Sequence, residues 1–219
     1  ARFDVRSYYS SMDHQIILAL LKQYQVTPAV ISIVSEYLSL PDHNKSGKGM
    51  VAGGALSPLI GALYLMPLDK LMEDLQATTG IRYQRYMDDY VIFAPTRHKL
   101  RKAIKLMYAV LDDLKVEVHP KKRFIGTTRR GFDFLGYWLE PHRPLTPSQV
   151  SLTRLIDRSR QLLERTASIT RLRQYVRRWL QWHRSGLRGL TDKKQSIEWY
   201  WRYVLDSFAA PFIRLDTIA

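Results

Sequence analysis

The sequence predicts an α+β fold: an antiparallel sheet packed on helices, followed by an all-α, strongly basic C-terminal bundle. Three observations carry this prediction. Strand-period and helix-period segments are mixed, and the strands meet in hairpins instead of alternating one for one with helices. The run "IRYQRYMDDYVIFA" (81–94) reads as two short strands joined at an adjacent acidic pair. Beyond "PHRPLTP" (141–147) the chain turns to helical periodicity and arginine.

In chain order, "RFDVRSYY" alternates as a strand over 2–6, with Asp4 facing away from Phe3 and Val5. "SMDHQIILALLKQY" reads as a helix capped by Ser11, and residues 28–39 as a second helix. "LPDHNKSGKGMVAGG" is a Pro/Gly/Lys loop. "SPLIGALYLMPLDKLMEDLQ" follows as one helix opened by Ser57 with Pro58 in its first turn. After the acidic hairpin, "RHKLRKAIKLMYAVLDDLK" is amphipathic, with Leu100, Ile104, Met107 and Leu111 on one stripe and Asp112–Asp113 at a solvated end. "VEVHPKKRFIG" and "GFDFLGYWLE" are strand-like pieces. A domain boundary is placed near residue 141. Thr146-Pro147-Ser148-Gln149 matches a capping box, and helices follow at about 170–185, ended by Gly186, and 192–208, capped by Asp192.

The 219 residues suffice for one large domain with a real core, or for a domain with an appendage. The absence of cysteine excludes disulfides and thiolate zinc sites and suits a reducing, cytoplasmic setting. The longest apolar run, Leu56 to Leu68, holds Pro58 and Pro67 and is too short to span a bilayer, so no membrane role is expected. A formal charge of +14 calls for a polyanionic partner, nucleic acid before acidic membrane. Residues 141–219 carry 15 of the cations against 6 acids, and 13 of those cations are Arg. The planar guanidinium fork suits phosphate. The chain starts at Ala1 and enters a strand almost at once, so it is expected to be a fragment whose N-terminus lies upstream.

Asp88 and Asp89 repel each other between apolar strands, a cost that needs a compensating positive charge. If the strand of Asp4 pairs beside the hairpin, three carboxylates converge on one edge. Such hard oxygen ligands suit Mg²⁺, which takes its remaining ligands from water and phosphate. Two such ions would stabilise the attacking and leaving oxygens of an in-line phosphoryl transfer.

From "YMDD" outward the chain resembles a reverse transcriptase of the bacterial, group II intron-like kind, over nearly all its length. "DVRSYYSSMDH" (4–14) resembles the first catalytic-aspartate motif, and "GMVAGGALSPLIGALYLMPLD" (49–69) the Gly-rich loop and helix lining template and nucleotide. "RYMDDYVIFA" resembles the catalytic hairpin, "VHPKKR" the lysine motif and "FLGYWL" the primer grip. The resemblance implies a palm with part of the fingers over 1–140 and a helical thumb over 141–219. It implies RNA-directed DNA polymerase activity, with RNA template, DNA primer and dNTPs as partners and two Mg²⁺ ions, replaceable by Mn²⁺, as cofactors.

By position, the resemblance makes Asp4 and Asp88 the primary metal ligands, Asp89 an acidic partner and the Val5 carbonyl a further oxygen. Tyr9 stands at the steric gate that crowds a 2′-hydroxyl, while Ala52 and Gly53 line the nucleotide. Lys122 is the lysine that protonates pyrophosphate, with Lys121 an equal alternative. Phe134, Leu135, Gly136 and Tyr137 hold the primer end. Arg171, Arg173, Arg177, Arg178 and Arg184 are expected to meet the nucleic-acid backbone by charge alone. Two departures count against full activity. Ala52 replaces the glutamine usual before the paired glycines, a loss shared with diversity-generating elements. The basic fingers motif would precede Asp4, leaving dNTP binding to an upstream fingers region or accessory protein. A structured-RNA-binding, maturase-like or degenerate module without polymerase activity is the alternative, and an RNA-dependent RNA polymerase a third reading.

Overall fold

The computed structural model describes residues 1–40, 47–165, 168–187, 189–192 and 195–209. The chain divides into two compact units, Ala1–Gly126 and Thr127–Ala219. The change in sequence character near 141 thus falls inside the second unit.

In the first unit, β1 (Arg2–Asp4), β2 (Arg82–Tyr86) and β3 (Asp89–Phe93) form an antiparallel sheet in the order β1-β3-β2. Its register pairs Phe3 with Tyr90 and Asp4 with Asp89. Alternation sends Phe3, Val5, Tyr83, Tyr90 and Ile92 to one face, where all are buried. They share a core with Leu68, Met72 and Leu75 of α5 (Met66–Thr79) and with Met107 and Leu111 of α6 (Arg97–Asp113). Ile17, Leu20 and Leu21 of α2 (His14–Gln23) and Ile60 and Tyr64 of α4 (Ser57–Tyr64) extend that core. Tyr64 is fully buried; its hydroxyl accepts from the Asp13 N–H at 3.0 Å and donates to the Leu114 carbonyl at 2.7 Å. One side chain thus pins segments fifty residues apart on either side.

Three expectations for this unit are corrected. The helix that follows β1 is interrupted: α1 spans only Tyr8–Ser11, and α2 is capped by Asp13, not Ser11. Asp13 accepts from the N–H groups of Gln15 and Ile16 and pairs with the Lys115 ammonium at 2.7 Å, a partner 102 residues away. The single helix expected from Ser57 breaks at Leu65 into α4 and α5, because Pro67 lacks the N–H that would continue the ladder. "VEVHPKKRFIG" forms no regular strand. It touches β1 and the residue after it through single bridges, Arg2 to Phe124 and Val5 to Val118, and bulges between them, where Pro120 has no N–H to pair. The loop expected at 40–54 lies partly outside the described residues. The helix expected over 28–39 is α3 (Pro28–Ser39).

In the second unit, β4 (Phe132–Phe134), β5 (Tyr137–Leu139) and β6 (Thr146–Pro147) form a small antiparallel sheet. "GFDFLGYWLE" is therefore a hairpin, not one strand; it reverses at Leu135 (φ 49°) and Gly136 (φ 84°), the double left-handed signature of a tight two-residue turn. The expected capping box is a strand end followed by a cap: Ser148 accepts from the Ser151 N–H at 3.2 Å and opens α7 (Gln149–Glu164). α8 spans Ile169–Arg184 with Gly186 just beyond. α9 spans Ile197–Ala209, and Ser196, not Asp192, accepts from the Trp199 N–H. Leu155, Val176, Leu180, Tyr200 and Val204 are the core of these three helices.

Candidate catalytic carboxylate site

The sheet register does the assembling. Asp4 ends β1 directly opposite Asp89, the first residue of β3, while Asp88 occupies the turn and its carbonyl accepts from the Val5 N–H at 3.2 Å. The turn opens with Met87 at φ 55°. Both turn-side carboxyls are half-buried. Burial raises the Asp88 pKa, with the Asp4 charge adding to it. Burial, then Asp4 and Asp88, push Asp89 up to about 6. Burial is the larger cause at both carboxyls, and the neighbouring carboxylates add to it.

Arg2 and Lys122 offset part of the charge at Asp89, and the Lys122 ammonium lies 3.1 and 3.4 Å from the two Asp4 oxygens. The bulge at Pro120 creates this contact: the His119 N–H donates to the Asp4 carbonyl at 2.8 Å, and the Lys122 N–H to the His119 carbonyl at 3.3 Å. Between the two lysines open in the sequence, the structure brings Lys122 to the carboxylates; the Lys121 N–H instead donates to the His119 ring.

Burial, and after it the Asp88 charge, raise the Tyr9 pKa. Gly61 makes room for the Tyr9 ring: a Cβ there would stand 3.2 Å from it, and the Gly61 carbonyl accepts from the Tyr8 hydroxyl. The loop bearing Ala52 and Gly53 is tied to the same helix, the Met50 N–H donating to the Tyr9 carbonyl at 2.9 Å. Gly53 takes φ 88°, and Gly54 lies so close to Tyr37 that a Cβ would sit 2.1 Å from its hydroxyl.

One functional feature escaped the sequence reading. Arg85 is a cation in the core-facing register of β2, beside Tyr90. It forms a two-point ion pair with Asp69 of α5, donating Nε at 2.7 Å and a second, shorter bond from its terminal nitrogen. Its other terminal nitrogen reaches the Met87 carbonyl at 2.9 Å, and Tyr83 donates to Asp69 at 2.8 Å. The buried network hooks the aspartate turn onto α5. Its sequence signal is charge at a core position, which only a partner can explain.

The remaining expected residues lie in the second unit. Phe134, Leu135, Gly136 and Tyr137 form the β4–β5 turn, docked by the Ser148 N–H (2.9 Å) and Ser151 hydroxyl (2.8 Å) on the Gly136 carbonyl. Tyr137 packs inward, stacked 4.2 Å from the His183 ring, and its hydroxyl donates to the His183 carbonyl. Burial, helped by Arg184, holds His183 down to about 4. Arg171, Arg173, Arg177 and Arg178 are exposed along α8. Arg184 departs from the expected phosphate contact: its guanidinium donates to the carbonyls of Asp192 and Gln195 at 3.1 and 2.6 Å.

Among the described residues, no three His, Asp or Glu side chains are grouped as placed so as to enclose an ion. The donor chemistry nevertheless fits a divalent ion: three hard carboxylates share one edge, two are held above their usual pKa, and a lysine supplies positive charge to the third. No helix among the described residues is long and apolar enough to cross a membrane.

A family model described as reverse transcriptase (RNA-dependent DNA polymerase) matches residues 1–139. No curated protein matches by sequence. Among solved structures, the chain is similar to apo telomerase from Candida tropicalis, truncated from the C-terminal domain, at 15% identity and TM-score 0.51, covering 67% of this chain and 35% of that one. It is also similar to telomerase from Candida albicans in complex with a fragment of telomeric RNA, at 10% identity and TM-score 0.53, covering 94% of this chain and 40% of that one. The likeness is one of fold, and the chain spans two fifths or less of those telomerase chains.

Proposed function

The chain belongs to the reverse transcriptase family, and from that premise we propose that it adds dNTPs to the 3′-hydroxyl of a DNA primer paired to an RNA template. The observation that carries this reading is the register pairing Asp4 with Asp89 and seating Asp88 in the adjoining turn. Asp4, Asp88 and Asp89, with the Val5 carbonyl, would hold two Mg²⁺ ions, with Mn²⁺ as substitute. When bound, the ions supply charge neutralisation for the attacking and leaving oxygens.

The chain's own side chains do the rest. The Tyr9 ring excludes a 2′-hydroxyl and so favours dNTPs, with Gly61 holding open the space it needs. The Lys122 ammonium, already beside Asp4, is the proton donor to the departing pyrophosphate. Ala52 and Gly53 line the nucleotide, and Phe134 to Tyr137 grip the primer, with Leu135 and Gly136 as the contact and Tyr137 as its packed support. In this reading residues 1–140 are the palm with part of the fingers, and residues 141–219 are the thumb, whose Arg171, Arg173, Arg177 and Arg178 follow the duplex backbone. Catalysis is mainly positioning and electrostatics. The bacterial, group II intron-like assignment rests on the form of the motif around Gly53 to Gly61.

Ala52 favours a second reading, an RNA-binding module without polymerase activity. Primer extension on an RNA template separates the two. The expected result is Mg²⁺-dependent incorporation of dNTPs, with Tyr9→Ala raising rNTP use at least tenfold relative to dNTP. No extension by the unsubstituted protein would favour the second reading. Unchanged sugar choice in Tyr9→Ala would remove the gate from Tyr9.

A further inference from the structure

The charges on α6 run against the stability of the helix. Its first nine residues, Arg97 to Lys105, hold five cations and His98 with no acid, while its two acids, Asp112 and Asp113, close the C-terminal turn. A helix dipole favours the opposite order, each misplaced surface charge costing about 0.3–1 kcal/mol at low salt. Arg97 and Arg101, then Arg101 and Lys105, are like charges at the four-residue spacing that repels. Arg97, Arg101, Lys102 and Lys105 are exposed. Among the described residues, none of the cations on this face enters an ion pair. Nothing within the described fold requires this arrangement, and the fold is less stable for it.

The other side of α6 narrows the choice of partner. Ala103, Met107 and Leu111 are buried, and Leu100, Ile104 and Val110 pack against the same core. The helix has therefore committed its apolar stripe to the interior, whereas a helix that lies in a membrane needs that stripe free beside its cations. What remains is a row of cations about 6 Å apart along the helix axis, at Arg97, Arg101 and Lys105, flanked by Lys102. Closely spaced charge without apolar demand complements a sugar–phosphate backbone.

The start of this row is set apart from the carboxylates. β3 leads away from Asp89 for about 14 Å before α6 begins. We propose that the basic outer face of α6 is a second RNA-docking surface, which holds a flanking part of the RNA by its backbone and without sequence preference while the carboxylate edge acts elsewhere. The choice of RNA over DNA rests on the polymerase reading above; the existence of the surface does not.

The test is salt-dependent binding of a fluorescein-labelled RNA hairpin, followed by anisotropy without nucleotide or divalent ion. Comparison is between the unsubstituted protein and Arg97→Gln/Arg101→Gln/Lys105→Gln. The slope of log K against log salt should flatten by about 2 to 3 in the triple variant, near 0.9 for each phosphate that is no longer neutralised, with affinity falling roughly 10- to 100-fold at moderate salt. Nucleotide addition on a short primer–template and thermal stability should be retained, because the substitutions remove repulsion from an exposed face. An unchanged slope in a folded variant would overturn the proposal. So would retained RNA binding with loss of binding to phosphatidylserine vesicles, which would make the surface a membrane contact. Because binding is read without catalysis, an inactive parent protein would sink the polymerase reading and leave this test standing.

Discussion

Asp88→Asn should abolish primer extension, lowering the rate about 10³-fold or more, while leaving the metal-free protein as stable as before or more so. A thousandfold corresponds to about 4 kcal/mol of transition-state stabilisation, an ordinary share for a carboxylate that holds a divalent ion. The stability half follows from electrostatics. Asp88 is half-buried beside Asp4 and Asp89, and its charge opposes theirs. The amide keeps the shape and removes one repelling charge. A structural aspartate would behave the other way, losing stability when neutralised. The pH dependence follows the same sign. The Asp89 carboxyl sits at about 6 in the fold against 3.8 unperturbed, so between those values the folded chain binds more protons than the unfolded one. This edge therefore favours folding most at low pH and loses that contribution as pH rises through about 6. Thermal denaturation without divalent ions should show this loss between about pH 4 and 6 in the unsubstituted protein, and less of it in Asp88→Asn.

Arg85→Ala should be the most destabilising single change near the site, by about 2–4 kcal/mol, and should impair extension as well. The substitution leaves Asp69 with only the Tyr83 hydroxyl in a largely buried setting and releases the Met87 carbonyl from the guanidinium. Removing one partner of a fully buried pair costs about 3–5 kcal/mol, reduced here because Asp69 keeps some exposure. For a chain of this size that is a fall in Tm of roughly 5–15 °C. Arg85→Lys should recover the charge but not the two-point geometry, giving partial rescue. A double-mutant cycle with Asp69→Ala should show coupling above about 1 kcal/mol. Additive effects would mean that the network does not act as a unit.

How much of this was legible in the sequence depended on whether the deciding interaction was local. Asp4, Asp88 and Asp89 could be found because alternation sets which residues face the core, and acids between apolar strand residues stand out. Their convergence needed only one assumption, that β1 pairs beside the hairpin, and β1 does pair with β3. The cap of α2 could not be chosen the same way. Ser11 and Asp13 are both good capping residues, and the choice falls to Asp13, which also meets Lys115 from far along the chain. Lys121 and Lys122 were equivalent until the bulge at Pro120 turned one toward Asp4. The reversal at Leu135–Gly136 lacks an Asn-Gly or Asp-Gly signal; a leucine adopts φ 49° there beside a Gly136 carbonyl anchored by Ser148 and Ser151. Arg184 reads as one more cation on a basic helix, and only the fold shows its guanidinium tied to loop carbonyls.

The most direct test of the carboxylate edge as a metal site is a thermal-shift titration with MgCl₂ near pH 7.5. It compares the unsubstituted protein with Asp4→Asn/Asp88→Asn/Asp89→Asn. Ligand that binds only the folded state at a hundredfold excess over Kd stabilises by about 2.7 kcal/mol. The unsubstituted protein should show a saturable rise in Tm of that order, and the triple variant should start more stable and show none. Equal shifts in the two proteins, or no saturable shift in the unsubstituted one, would contradict the assignment of Asp4, Asp88 and Asp89 as metal ligands.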